Sequence, residues 1–231
     1  ATERQYSALV LQYCYSVINL EYRHAVWPYE YMAFSRRIGE LWEAFCSVAW
    51  DYPSRPEVTR FSAPDFGDVR NIIMKRINGN IGDHQKSKEL KEDIDLLVEI
   101  IGEINMKEDE VFSVNDLPYV IDFKSGFGSN EKGNMLRLIT VGRAYKLWDH
   151  RTRLLLLVRQ EQNNNYLKVL RRTGLWEVYT GASAYDQISE LTGADIQRIR
   201  NTVIDWRNDL SNEFFQYLEN QPTDLTGYLN W

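Results

Sequence analysis

Apolar residues recur three and four positions apart through the first fifty residues. Tyr6, Leu9, Val10, Tyr13, Val17 and Leu20 share one helical face, and Phe34, Ile38, Leu41, Trp42, Phe45 and Val48 share another. Thr2 with Gln5 has capping-box spacing for the first helix, and Pro28 suits the first turn of the second. Residues 54–83 carry Pro56, Pro64, Gly67, Gly79 and Gly82, which predicts loops around a short helix over 69–77. Helical spacing returns over 87–104 (Leu90, Ile94, Leu97, Ile101) and 130–148 (Met135, Leu138, Ile139, Tyr145). Runs of apolar residues, β-branched and aromatic over 119–125 and LLLLV over 154–158, predict strands over 110–114, 119–125, 152–160 and 166–178, with turns at 115–118 and 163–165. Ser183 with Asp186 and Thr192 with Asp195 mark two further helix starts. Ile196, Ile199, Val203, Trp206, Leu210 and Phe214 then run in near-heptad register, as a core or dimer stripe. The fold class is therefore mixed α/β (α+β), a central mixed sheet flanked by helices. No linker or repeat divides 1–231, so one domain is expected, with its core at about 85–180 and helical additions at 1–50 and 184–220.

Composition narrows this picture. Of 231 residues 44% are hydrophobic, enough for a sizeable core, and no apolar run reaches the length of a membrane span. The polar start has no signal-peptide pattern. Cys14 and Cys46, among aromatics on helical faces, read as buried free thiols in a reducing compartment. His24, His84 and His150 have no ligand spacing, which disfavours histidine-dependent metal or triad chemistry. A net charge of −6 argues against a generic polyanion binder, unless the basic residues line one cleft.

The candidate chemistry lies in one strand. Asp122 and Lys124 stand in the apolar run Tyr119-Val120-Ile121-Asp122-Phe123-Lys124, which Gly126 ends. Alternation puts both side chains on one face, about 7 Å apart. Two ionised groups in such a strand are costly unless they bind something. The same triplet spacing at Glu89-Leu90-Lys91 sits among Lys86, Lys88, Glu92 and Asp93 and reads as a solvated helix face.

Asp116 followed by Asp122-Phe123-Lys124 resembles the acid and D-x-K signature of the PD-(D/E)XK nuclease family, in particular type II restriction endonucleases. The short gap between the acids is similar to that of the mismatch-repair nicking endonuclease. Asp109 and Glu110 remain alternatives for the first acid. The resemblance implies a nuclease-like core performing site-specific, Mg²⁺-dependent hydrolysis of double-stranded DNA. One or two Mg²⁺ per active site would be held by Asp116, Asp122 and the Phe123 carbonyl. Lys124 would stabilise the pentavalent phosphate or orient the attacking water. It further implies that Glu40 or Glu43, on the N-terminal helical part, approaches the metal. A two-fold homodimer, a cognate DNA methyltransferase and a prokaryotic cytoplasmic location follow from the same resemblance.

Expected phosphate contacts are Ser125, Ser129, Asn130 and Lys132, at a helix start. Base-edge or backbone contacts are expected from Arg70 and from Gln160, Gln162, Asn163, Asn164, Asn165, Arg171 and Arg172, because Gln and Asn suit adenine and Arg suits guanine. The alternatives are a nicking or repair nuclease of the same fold and a non-catalytic helical module that binds nucleic acid or protein. The second predicts no cleavage and indifference to Asp122→Ala.

Overall fold

A computed structural model describes residues 2–102, 104–126, 132–163 and 165–231, of Ile101 the backbone only. A five-stranded sheet takes its strands in chain order: β1 (Val58–Arg60), β2 (Glu110–Val114), β3 (Leu117–Lys124), β4 (Arg153–Val158) and β5 (Glu177–Thr180). β1, β2 and β3 are antiparallel, and β3, β4 and β5 are parallel. A parallel neighbour needs a long crossover. Helix α5 (Lys132–Trp148) supplies it between β3 and β4, and α6 (Asn165–Arg172) between β4 and β5.

Helices cover both faces, which is why β3 and β4 are buried almost end to end. On one face Phe112, Tyr119, Ile121, Phe123, Leu155 and Leu157 pack against α1 (Glu3–Val26), α2 (Tyr31–Asp51) and the C-terminal helices α7 (Ala182–Thr192), α8 (Ile196–Thr202), α9 (Trp206–Asp209) and α10 (Asn212–Glu219). On the other, Val120, Leu154, Leu156 and Val158 pack against α3 (Phe66–Asn80), α5 and α6. Helix α4 (His84–Ile101) lies outside α3. No helix among the described residues is long and apolar enough to cross a membrane.

Several expectations need correction. The segment 166–178 is no single strand: Leu167 and Leu170 bury one side of α6, and the chain enters β5 only at Glu177. β4 and β5 run parallel, so the two segments do not form the expected hairpin. The heptad-like stripe from Ile196 to Phe214 belongs to three short helices, because Asp205 and Ser211 cap new starts at Asn208 N and Phe214 N. It is core. Thr192 ends α7 instead of starting α8, and Ser183 Oγ accepts from Thr180 N inside the turn before it. Pro28 lies three residues before the first residue of α2, with Glu30 at the N-cap. Within 54–83, Asp65 caps a helix longer than expected by a reciprocal bond with Asp68, and β1 was not foreseen. Cys46 is buried, but Cys14 is exposed; both thiols are free.

Candidate functional site

The side chain of Asp122 is only 1% exposed, near the C-terminal end of the central strand. Its neighbours on that face, Val120 across to Leu156 and Val158, are apolar. Such a carboxylate survives by pairing. Lys124, two residues on and on the same face, makes an ion pair with Oδ1. Arg137 of α5 reaches Oδ2 with Nη2 at 2.5 Å and grips Glu108 with both terminal nitrogens at 2.8 and 3.0 Å. Lys124 Nζ also donates to the Phe123 carbonyl at 2.9 Å.

Antiparallel pairing brings the acidic run ahead of β2 to this point. Glu110 lies opposite Ile121, so Asp109 approaches the level of Asp122, and its Oδ2 accepts from Phe123 N at 2.6 Å. Glu110 shares the opposite face with Ile121, where Arg60 Nη2 holds it at 2.7 Å. Asp116 does not join them. It forms the turn between β2 and β3 with Asn115, both at positive φ (61° and 50°) as a two-residue hairpin requires. Six residues of strand rise put it about 20 Å from Asp122. Of the three acids considered, Asp109 is the one placed at the level of Asp122 on the sheet. A positive φ favours glycine, so Asp116→Gly is expected to leave the site intact and to raise stability by a few tenths of a kcal/mol. Asp109→Asn should instead abolish whatever the site does. Thermal melts and activity assays of the two proteins check this.

The carboxyls press on one another. Burial, then the hydrogen bond with Asp122, pushes Glu108 up to about 9 against the pull of Arg137. Asp109 is raised by burial of its carboxyl and by the Asp122 charge, although the residue as a whole is exposed. From α2, Glu43 enters the same field: burial and the Asp109 charge lift it to about 7, opposed by Lys124. Between the ordinary carboxyl range and pH 7, folded Glu43 keeps a proton that the unfolded chain releases. Stability therefore falls as pH rises through that window. Glu43→Gln is expected to flatten the fall and to be more stable than wild type at pH 8 by about 1–2 kcal/mol, discounted for partial exposure. Urea titrations from pH 4.5 to 8 measure it.

Beside Lys124 opens a cavity of about 520 Å³, lined by Tyr31, Trp42, Glu43, Ser125, Gln160 and Tyr228 among others. Glu40 is on its wall but is held by Arg36 and Arg37, each at 2.8 Å. Ser125 Oγ accepts from Arg159 at 2.9 and 3.2 Å. Arg159 is buried and also donates to the Tyr228 and Asn230 carbonyls at 2.7 and 3.0 Å, so it pins the C-terminal segment to the end of β3. The Gln160 side chain lies over Gly126, where a Cβ would collide with it.

The other expected contacts disperse. Arg70 pairs with Asp95 and ties α3 to α4. Gln162 is exposed in the loop after β4, and Asn163 donates to the Gln160 carbonyl at 2.7 Å. Asn165 opens α6, whose eight residues carry Arg171 and Arg172 to its far end, about 10 Å on. Lys132 is exposed in the first turn of α5. Ser129, Asn130 and Asn164 lie outside the described residues. Glu108 and Arg137 were missed. The signal for Glu108 was the acidic run Glu108-Asp109-Glu110 ahead of a strand; for Arg137 it was a charge beside the apolar positions Leu138 and Val141.

Hard oxygen donors of this kind suit a small divalent cation. Asp122 Oδ1 is buried and, apart from its Lys124 ion pair, has no directional hydrogen bond among the described residues. The same Lys124 Nζ also donates to the Phe123 carbonyl, whose own residue's N–H is held by Asp109. The donors are not drawn into a cage: among the described residues no three Asp, Glu, His or Cys side chains close around one point. No protein-family model matches the chain, and neither curated proteins nor solved structures give a match.

Proposed function

We propose that the chain is a phosphodiesterase acting on DNA, a site-specific endonuclease with a PD-(D/E)XK-like core within a single domain over 1–231. The observation that carries the reading is the buried Asp122, paired with Lys124 and placed beside Asp109 at the end of the central strand. Asp122, Asp109 and the Phe123 carbonyl would hold Mg²⁺, whose charge offsets that of the phosphate and lowers the pKa of a bound water. Asp109 thereby takes the role first expected of Asp116.

The protein's own groups supply the rest. Lys124, at the mouth of the cavity, places a cation where negative charge builds on the phosphate oxygens. Glu43, with its affinity for a proton near neutrality, is suited to accept one from the attacking water. Arg137 holds Asp122 and Glu108 in position from α5. Ser125 and Gln160 offer polar contacts to the strand being cut. Arg70 and the far end of α6 drop out of the proposed contact surface.

The test is digestion of long mixed-sequence duplex DNA by wild type and Lys124→Ala protein, with Mg²⁺ and with EDTA. Discrete fragments that need Mg²⁺ and vanish in the variant support the reading. Cleavage in EDTA, or full cleavage by the folded variant, overturns it.

A further inference from the structure

Helix α1 carries no charged residue from Gln5 to Leu20. Its inner side buries Leu9, Tyr13, Ser16 and Leu20. Its outer side exposes Leu11, Tyr15, Ile18 and Tyr22, each by 53–73%, and the stripe continues into Val26 and Trp27. A helix with apolar residues on both its inner and its outer side, and no charge between, is expected to be covered on both. The exposed Leu96, Leu97 and Ile100 of α4 differ, because Asp95 and Glu99 interrupt them as on an ordinary solvated face.

We propose that α1 is a homodimer interface, with two copies packed antiparallel about a two-fold axis that crosses the helix between Tyr15 and Ile18. The order of the stripe is the first reason. Positions 11, 15, 18 and 22 are spaced four, three and four residues apart, the same in either direction. Antiparallel pairing then sets Leu11 against the second copy's Tyr22 and Tyr15 against its Ile18, aliphatic against aromatic. An isologous contact requires such self-complementarity, and the spacing suits the shallow crossing of close-packed helices.

Area is the second reason. Six such side chains, each presenting on the order of 100 Å², give roughly 600–700 Å², close to the ~800 Å² that one partner contributes to a stable interface. Charge is the third. The stripe sets no like charges against each other, and the nearest charged groups are engaged within the chain. Glu21 accepts from Ser211 N at 2.6 Å and from Ser211 Oγ at 3.1 Å, and Arg23 donates to the Trp27 carbonyl. Aromatic enrichment with depletion of charge is the composition of an interface core.

Sedimentation velocity over a range of protein concentrations tests this on wild type and Ile18→Asp. Wild type is expected to sediment as a dimer, and the variant as a monomer with unchanged circular dichroism, its Kd weakened by roughly 100-fold or more. Ile18 is exposed in the monomer, so the substitution does not touch the core. In a Cys14→Ser background, a mixture of Tyr15→Cys and Ile18→Cys proteins should form disulfides faster than either alone, which reports the antiparallel register. A wild type that is monomeric at every concentration, or a dimer indifferent to Ile18→Asp, overturns the proposal, whatever else then covers the stripe. The readout is mass and cross-linking, so it stands or falls separately from the nuclease reading.

Discussion

Lys124→Ala is expected to lower the proposed Mg²⁺-dependent cleavage by about 10²- to 10⁴-fold, a barrier increase of about 3–5 kcal/mol, while the protein stays folded. The fold should survive because Asp122 keeps Arg137 at 2.5 Å after Lys124 is gone. The loss should be large because Lys124 is the one of these two cations that also lines the cavity beside the site. Lys124→Arg separates charge from position. Its guanidinium can still neutralise Asp122, so stability should return, but a planar fork does not place one point charge where the ammonium stood. Single-turnover cleavage rates, with circular dichroism and melts on the same samples, decide the matter. If folded Lys124→Ala cuts at the wild-type rate, the site is elsewhere.

The largest structural effect should come from Trp42→Ala, at about 3–5 kcal/mol of destabilisation. Trp42 is fully buried under β3, edge-on to Phe123 with ring centroids 5.5 Å apart, and its Nε1 donates to the Tyr185 hydroxyl at 2.8 Å. Its removal empties the contact among α2, α7 and the sheet at the level of Lys124. Marginal stability leaves a domain only about 5–15 kcal/mol, so such a loss should be plain in urea unfolding. Trp42→Phe keeps most of the volume but strips Tyr185 of a buried partner, at roughly 1–3 kcal/mol. The ranking of the two variants separates packing from the hydrogen bond. Equal stability of wild type and Trp42→Ala would show that α2 is not seated on the sheet in this way.

Long periodic segments were legible because burial on one side is written into their own residues. The apolar faces of α1, α2 and α5 and the apolar runs of β3 and β4 name their elements to within a few positions. So was the shared face of Asp122 and Lys124, since alternation along one strand is local geometry, whereas their direct ion pair was not. The segment 166–178 was not legible. Eight residues with two buried leucines suit either period, and it is the parallel pairing of β4 and β5 that demands a crossover there. The C-terminal stripe misled for a related reason: an even apolar spacing ran across caps at Asp205 and Ser211 that break the helix.

The sequence by itself determined the sheet-and-helix composition and the acid–lysine pair in an apolar strand, because both depend on neighbours in the chain. Only the tertiary structure decided which acids accompany that pair. Asp116 is six residues from Asp122 yet lies at the far end of the strand, in a turn whose positive φ angles explain its presence. Glu43, Glu108 and Asp109 come from another helix and from the run ahead of β2, and Arg137 from the helix after β3. Their meeting depends on antiparallel register and helix packing, long-range choices that no local pattern encodes.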